Sequence, residues 1–248
     1  MKIIIIRKKV LILIPFILIS VIFFYNNNQE VVPAAFLPIT DKVIAIDPGH
    51  GGVDPGAVGN IGKNEDDINL EIALRLRRLI EQSGGKVILT REEDEGLYTD
   101  KSKTYRQKKN EDLRNRKILV NSSNPDIFLT IHLNSFRQSK YYGAQTFYKK
   151  GCEKSKKLAT IIQEELRNIL DKNNKRVPQA RDSIYLLREV KAPTVLIECG
   201  FLSNPREEKL LNEPKYQEKV AWAIYIGLVR YFKEIEEDET LAEINNYN

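Results

Sequence analysis

The 248-residue chain contains only two histidines, two cysteines, one methionine and one tryptophan. Cys152 and Cys199 lie far apart and match no zinc-finger or CxxC spacing, which excludes a cysteine-built metal site, while a single disulfide is open to an exported protein. Two buried free thiols are expected instead. No internal repeat is present, which excludes a solenoid. The body also lacks a strong charge bias. Of the net +5, residues 1–30 carry +3 and the remainder +2, so a sequence pI of about 9.0 is no nucleic-acid footprint. No Ala-x-Ala site follows the apolar leader, and Phe23, Phe24 and Tyr25 are poor at a cleavage position.

The leader itself has a basic start, Met1 to Lys9, and then an uninterrupted apolar run from Val10 to Phe24. That run is 15 residues, short of the roughly 20 that span a bilayer comfortably. Residues 1–25 therefore read as an uncleaved signal-anchor or a cleaved signal peptide, with the body outside the cytoplasm. Residues 26–40, with three consecutive Asn and two Pro, read as a linker. A domain over 41–235 and a polar tail over 236–248 complete the organisation.

Within the body, apolar runs alternate with helical periodicity. Strands are expected over 43–47, 86–90, 126–131, 143–148, 184–187 and 194–199. Helices are expected over 66–82, 112–121, 154–170, 204–211 and 216–232, with long polar loops over 91–111 and 173–183. This pattern predicts an α/β fold: a single domain on a mostly parallel twisted sheet of about six strands, with helices on both faces.

Both histidines sit where apolar strands end. His50 follows Val43-Ile44-Ala45-Ile46-Asp47-Pro48-Gly49, and His132 ends Ile127-Phe128-Leu129-Thr130-Ile131. Ligands of open α/β sheets bind at the carboxyl ends of strands, so the two histidines suggest one shared site. Glu198 is a carboxylate in the apolar strand Val195-Leu196-Ile197-Glu198-Cys199, where burial demands a partner or a nearby cation. Glu65 precedes the first long helix. With Asp66 and Asp67 it could merely complement the helix dipole. With His50 and His132 it could complete a two-His, one-carboxylate zinc site that leaves one position open for water. Glu198 would then exchange the proton of the attacking water. The histidines are too distant for an HExxH pattern, so spacing alone does not decide between these readings.

Four ordered motifs carry a resemblance. They are Ile46-Asp47-Pro48-Gly49-His50-Gly51-Gly52, Glu65-Asp66-Asp67-Ile68-Asn69-Leu70, Thr130-Ile131-His132-Leu133-Asn134-Ser135 and Leu196-Ile197-Glu198-Cys199-Gly200-Phe201-Leu202-Ser203-Asn204. Together they resemble the zinc-dependent N-acetylmuramoyl-L-alanine amidases of the Amidase_3 family, over roughly Val43 to Phe232. Lesser matches are Thr90-Arg91, Leu113 with Arg116 and Asn121, and Leu187-Arg188 with Pro193. Val120 departs from the alanine more usual there.

The resemblance implies one Zn2+ held by His50, Glu65 and His132, with Glu198 as the catalytic glutamate. It implies cleavage of the amide between N-acetylmuramic acid and L-alanine in peptidoglycan, with Asn134 as a substrate contact and Arg116 and Arg188 either meeting peptide carboxylates or serving the structure. A short N-terminal membrane segment on a bare catalytic domain, without wall-binding repeats, resembles the spore-cortex branch of the family. There, removal of stem peptides allows muramic-δ-lactam to form. Membrane attachment through the leader and an activating protein partner are the expected associations; nucleic acid is not. The competing readings are a general wall-turnover amidase, a catalytically silent peptidoglycan-binding protein on the same fold, and a thiol hydrolase using Cys199. The last is disfavoured because Cys199 and Glu198, adjacent in a strand, must face opposite ways.

Overall fold

The computed structural model describes residues 37–246; the expected leader and most of the expected linker lie outside the described residues. Six strands form one sheet: β1 (Val43–Pro48), β2 (Lys86–Leu89), β3 (Ile127–Asn134), β4 (Gln145–Lys149), β5 (Gln179–Arg181) and β6 (Thr194–Phe201). Their order is β2-β1-β3-β6-β4-β5, and every neighbouring pair is parallel except β4 with β6. The helices are α1 (Glu65–Gln82), α2 (Tyr105–Ser123), α3 (Glu153–Ile169), α4 (Tyr185–Glu189), α5 (Pro205–Leu211) and α6 (Pro214–Asn246).

Side-chain alternation divides the sheet into two cores. Ile44, Ile46, Ile127, Leu129, Ile131, Val195, Ile197 and Cys199 pack with the buried stripes of α1, α3 and α6. The intervening residues Ala45 and Phe128 face the opposite way, against Val120 of α2 and Leu186 of α4, and Leu196 packs there with Leu187. Central parallel strands covered on both faces must be apolar at every position, which is why β1, β3 and β6 read as continuous hydrophobic runs. Asp47, Thr130, His132 and Glu198 keep the parity of Ala45, Phe128 and Leu196. Polar side chains therefore fall on the α2–α4 face near the carboxyl ends of the three central strands.

Four elements differ from expectation. Ile184–Leu187, an expected strand, lies instead at the start of the short helix α4, while the adjoining strand β5 is formed by the exposed residues Gln179–Arg181. A four-residue apolar run cannot by itself distinguish a strand from one helical turn. Helix α2 begins at Tyr105, within the expected loop, behind a complete capping box of Thr104 and Gln107. Helix α6 continues beyond Phe232 to Asn246, and ion pairs of Lys157 with Glu234 and Asp238 and of Lys42 with Glu236 tie the extension back.

Candidate metal centre

The chain leaves β1 through a turn that is held rather than free. His50 adopts φ 67°, a left-handed conformation costly for a residue with a Cβ, of order 1–3 kcal/mol. Three successive carbonyls of the turn are fastened from behind. The Pro48 oxygen accepts from Arg91 and Arg116, the Gly49 oxygen from Arg91 and Asn69, and the His50 oxygen from Arg116. Hydrogen bonds from charged donors contribute about 1.5–3 kcal/mol each, enough to offset the strain. Arg116 is itself buried against Asp47 at 2.7 Å and Asp112 at 2.8 Å. Burial works against the Asp47 charge, but Arg116 and hydrogen bonds from Thr130 and Thr90 outweigh it and hold its pKa down at about 2.

Glu65 is the first residue of α1, and its backbone N–H donates to the Ala57 oxygen across the glycine-rich loop. Its Oε1 is where both histidines meet: His50 Nε2 at 3.2 Å and His132 Nδ1 at 3.0 Å. Its Oε2 accepts from Ala57 N–H at 2.8 Å. One ligand atom from each of His50, Glu65 and His132 falls within 4.8 Å of the others, a spacing that suits one shared cation. The opposite nitrogen of His50, Nδ1, faces Asp54 Oδ2 at 2.9 Å, and Asp54 is held in turn by Lys109 and Tyr105. A carboxylate on the far side of an imidazole fixes the tautomer and aims the other nitrogen's lone pair at a metal.

The electrostatics of these groups fit a cation. Burial disfavours charge on His50, yet the Asp54 and Glu65 carboxylates push its pKa up to about 9. Burial likewise opposes the Glu65 charge, but the two imidazoles hold its pKa well below the carboxylate range. A divalent ion would supply the positive charge that protonated histidine otherwise provides.

Room for the two rings comes from glycine. A Cβ on Gly49 would lie 2.3 Å from His132 Nε2, and one on Gly56 would lie 2.6 Å from Glu65 Oε2 and 2.8 Å from His50 Cδ2. The loop carrying Gly56 is pinned by α5, whose buried Glu208 accepts from Asn60 and Ile61 N–H and whose C-cap Asn212 accepts from Lys63 N–H.

Glu198 pairs in register with His132 on the neighbouring strand. Its Oε2 is buried without a hydrogen-bond partner, and burial raises its pKa to about 7. Cys199 faces the other way into the larger core, where burial pushes its thiol well up; it is a packing residue. A cavity of about 190 Å³ opens beside His50 and His132, walled by Asp54, Leu113, Tyr185 and Leu196.

The expected substrate contacts are placed less uniformly. Asn134 ends β3 two residues beyond His132. Arg116 lines the cavity wall, but Asp47, Asp112 and two carbonyls engage its guanidinium, which makes it a fastening of the turn. Arg188 lies on the exposed side of α4 with Glu189 and the Asp182 carbonyl. Asp54 was not among the expected site residues. Its signal was present as a carboxylate four residues after His50, amid glycines.

Comparison with known proteins agrees with this geometry. The family profile described as N-acetylmuramoyl-L-alanine amidase, Amidase_3, matches residues 44–230. The germination-specific N-acetylmuramoyl-L-alanine amidase of Bacillus subtilis is 47% identical over 199 residues, covering 80% of this chain and 83% of that protein. The amidase LytC of the same organism is 33% identical over 79% of this chain, but only 36% of LytC is covered. Among solved structures, the CwlD amidase of Clostridioides difficile, in complex with the GerS lipoprotein, superimposes with a TM-score of 0.76. It has 57% identity and covers 78% of this chain and 99% of that one. An N-acetylmuramoyl-L-alanine amidase from Clostridium difficile 630 gives a TM-score of 0.66 at 31% identity, covering 78% and 98%.

Proposed function

This chain belongs to the Amidase_3 family of N-acetylmuramoyl-L-alanine amidases, and from that membership we propose how its own residues perform the reaction. The enzyme hydrolyses the amide joining N-acetylmuramic acid to L-alanine in peptidoglycan. His50, Glu65 and His132 would hold a zinc ion; the convergence of both imidazoles on one Glu65 oxygen is the observation that carries this reading. When bound, zinc supplies Lewis-acid polarisation of the scissile carbonyl and lowers the pKa of water toward 7.

The remaining work falls to side chains. Asp54 orients His50 through Nδ1, and Arg91 and Arg116 keep the turn from relaxing. Glu198, in its ionised form, takes the proton of the attacking water on Oε2 and returns it to the departing alanine nitrogen. Its unpartnered buried oxygen next to His132 supports that role. The cavity wall of Leu113, Tyr185 and Leu196 limits water access on one side. Asn134, at the carboxyl end of β3 two residues beyond His132, is the expected substrate contact that this reading retains.

The work site is the cell wall, and removal of stem peptides from spore cortex, ahead of muramic-δ-lactam formation, is the physiological reading. It is supported by the similarity to the germination-specific amidase. By the same reasoning the enzyme takes a lipoprotein partner of the kind seated on CwlD. No helix among the described residues is long and apolar enough to cross a membrane. Membrane attachment is proposed through the basic and apolar segment of residues 1–25, on sequence grounds alone.

Mass spectrometry of peptidoglycan fragments after digestion tests the reaction: muramic acid freed of its peptide is expected, and its formation requires zinc. Glu198→Gln should lower kcat by roughly 10²–10⁴-fold while zinc content stays at one per chain. Full turnover by that variant would refute the assignment. Tight muropeptide binding without zinc or turnover would favour the silent binding protein.

A further inference from the structure

A second surface stands apart from the metal centre. Trp222 is the chain's only tryptophan, and 46% of it is exposed. It lies in a groove of about 550 Å³ between α1 and α6, flanked by Leu79 and Ala221. Four cations ring it: Arg75 and Arg78 from α1, Lys215 and Lys219 from α6. One carboxylate, Glu218, shares the groove and reaches Arg78 only at 3.9 Å. On α6 the spacing 215, 218/219, 222 is a single helical stripe, and 75, 78/79 is the matching stripe on α1. Lys215 and Lys219 are exposed.

An exposed indole set among lysine and arginine suits the headgroup layer of a bilayer, where the ring sits at the interface and the cations meet anionic phosphate. The position of the groove favours that occupant. Thr40, just after the first described residues, donates to the Ser83 oxygen. The Ser83 hydroxyl is 2.7 Å from that of Tyr225, whose ring lies 5.4 Å from Trp222. The start of the described body, at Thr40, thus lies beside this groove. The groove uses the helical layer over one face of the sheet, whereas the metal centre occupies the strands' carboxyl ends. No residue lines both.

We propose that the α1–α6 face is a docking surface for anionic phospholipid headgroups, with Trp222 inserted at headgroup level. The docked body keeps its metal cleft uncovered. The inference rests on membrane attachment through residues 1–25 and is independent of the amidase chemistry.

The sole tryptophan makes the test direct, because no other indole contributes to the fluorescence. The full chain is reconstituted in nanodiscs bounded by a tryptophan-free scaffold, of phosphatidylcholine alone or of phosphatidylcholine with phosphatidylglycerol, each with and without brominated acyl chains. Co-migration with the discs reports attachment, and Trp222 emission reports docking. A blue shift and bromine quenching are expected only in the phosphatidylglycerol discs, and both should weaken in high salt. Lys215→Gln with Lys219→Gln should lower the docked-to-free ratio roughly 25-fold, at about fivefold per charge removed, with disc binding and amidase turnover unchanged. Water-like, unquenched emission in discs that carry the protein overturns the proposal and leaves this face to a protein partner. Failure to co-migrate with either disc removes attachment and docking together. Either failure is distinguishable from a failure of the amidase reading, which turnover measures separately.

Discussion

Replacing Gly49 with alanine adds one methyl group to the tightest contact in the metal centre. The new Cβ would lie 2.3 Å from both Cε1 and Nε2 of His132 and 2.8 Å from its Cδ2. Ordinary contact begins near 3.4 Å, so the imidazole must retreat by about 1 Å. The ring now sits with Nδ1 3.0 Å from Glu65 Oε1, and such a retreat takes it out of convergence with His50. Gly49 has no positive φ, so alanine is acceptable to the backbone and the damage is confined to the ring and its neighbours. Misorienting a ligand in this way should weaken zinc binding by at least the 10–100-fold typical of lost outer-shell support. Global stability should fall by the 1–3 kcal/mol of ordinary overpacking. Competition against a chromophoric chelator gives the affinity, and urea unfolding of the zinc-free protein gives the stability. Gly151→Ala is the matching control, because nothing lies within 4 Å of its Cβ while its φ of 76° carries a backbone cost of about 1 kcal/mol. It should lose stability and keep its zinc. If Gly49→Ala bound zinc as tightly as the parent protein, the packing argument for the centre would be wrong.

Two further perturbations probe the supporting shell. Asp47 has its pKa lowered from 3.8 to about 2 on folding, so its contribution of about 2 kcal/mol is complete above pH 4 and lost as pH falls toward 2. Arg116→Met should cost about 3–5 kcal/mol at pH 7 by stranding that carboxylate, and should reverse the sign so that the variant gains relative stability on acidification; urea unfolding across pH 3–7 measures both. With His50 poised at about pKa 9, zinc binding at pH 7 should release close to one proton from it, read by calorimetry in buffers of different ionisation enthalpy. Asp54→Asn should lower that proton count and weaken zinc by about 10–100-fold, and an unchanged count would show that Asp54 does not govern His50.

How far the sequence revealed this molecule depends on where apolar pattern and chemistry coincide. β1, β3 and β6 were legible because strands covered on both faces need uninterrupted hydrophobic runs. His50, His132 and Glu198 were legible because each interrupts or ends one. Helix α1 was legible from Ile68, Ile72, Leu76 and Ile80, all fully buried. The start of α2 was not, because its first turns carry charge in place of a hydrophobic stripe, and only the Thr104–Gln107 box marked the boundary. β5 was missed because an exposed edge strand of Gln, Ala and Arg has no apolar signature. Asp54, Arg91 and the precise use of Arg116 were hidden for another reason. Apart from the i,i+4 pair of Arg116 with Asp112, their partners are backbone carbonyls and side chains brought close only by folding, and no local pattern records them.

The fastening of the turn has a consequence for when the centre comes into being. His50 is kept in its unfavourable conformation by guanidinium groups from residues 91 and 116, far along the chain. A nascent chain, or one threaded unfolded through a translocation pore, has neither arginine in place. Its His50 is then free to relax, and His132 and Glu65 are not yet neighbours. A cation at this centre would therefore be acquired late, once β1, β3, α1 and α2 have docked. A fragment ending before α2 would carry the histidine-bearing turn and still have no site to offer the metal.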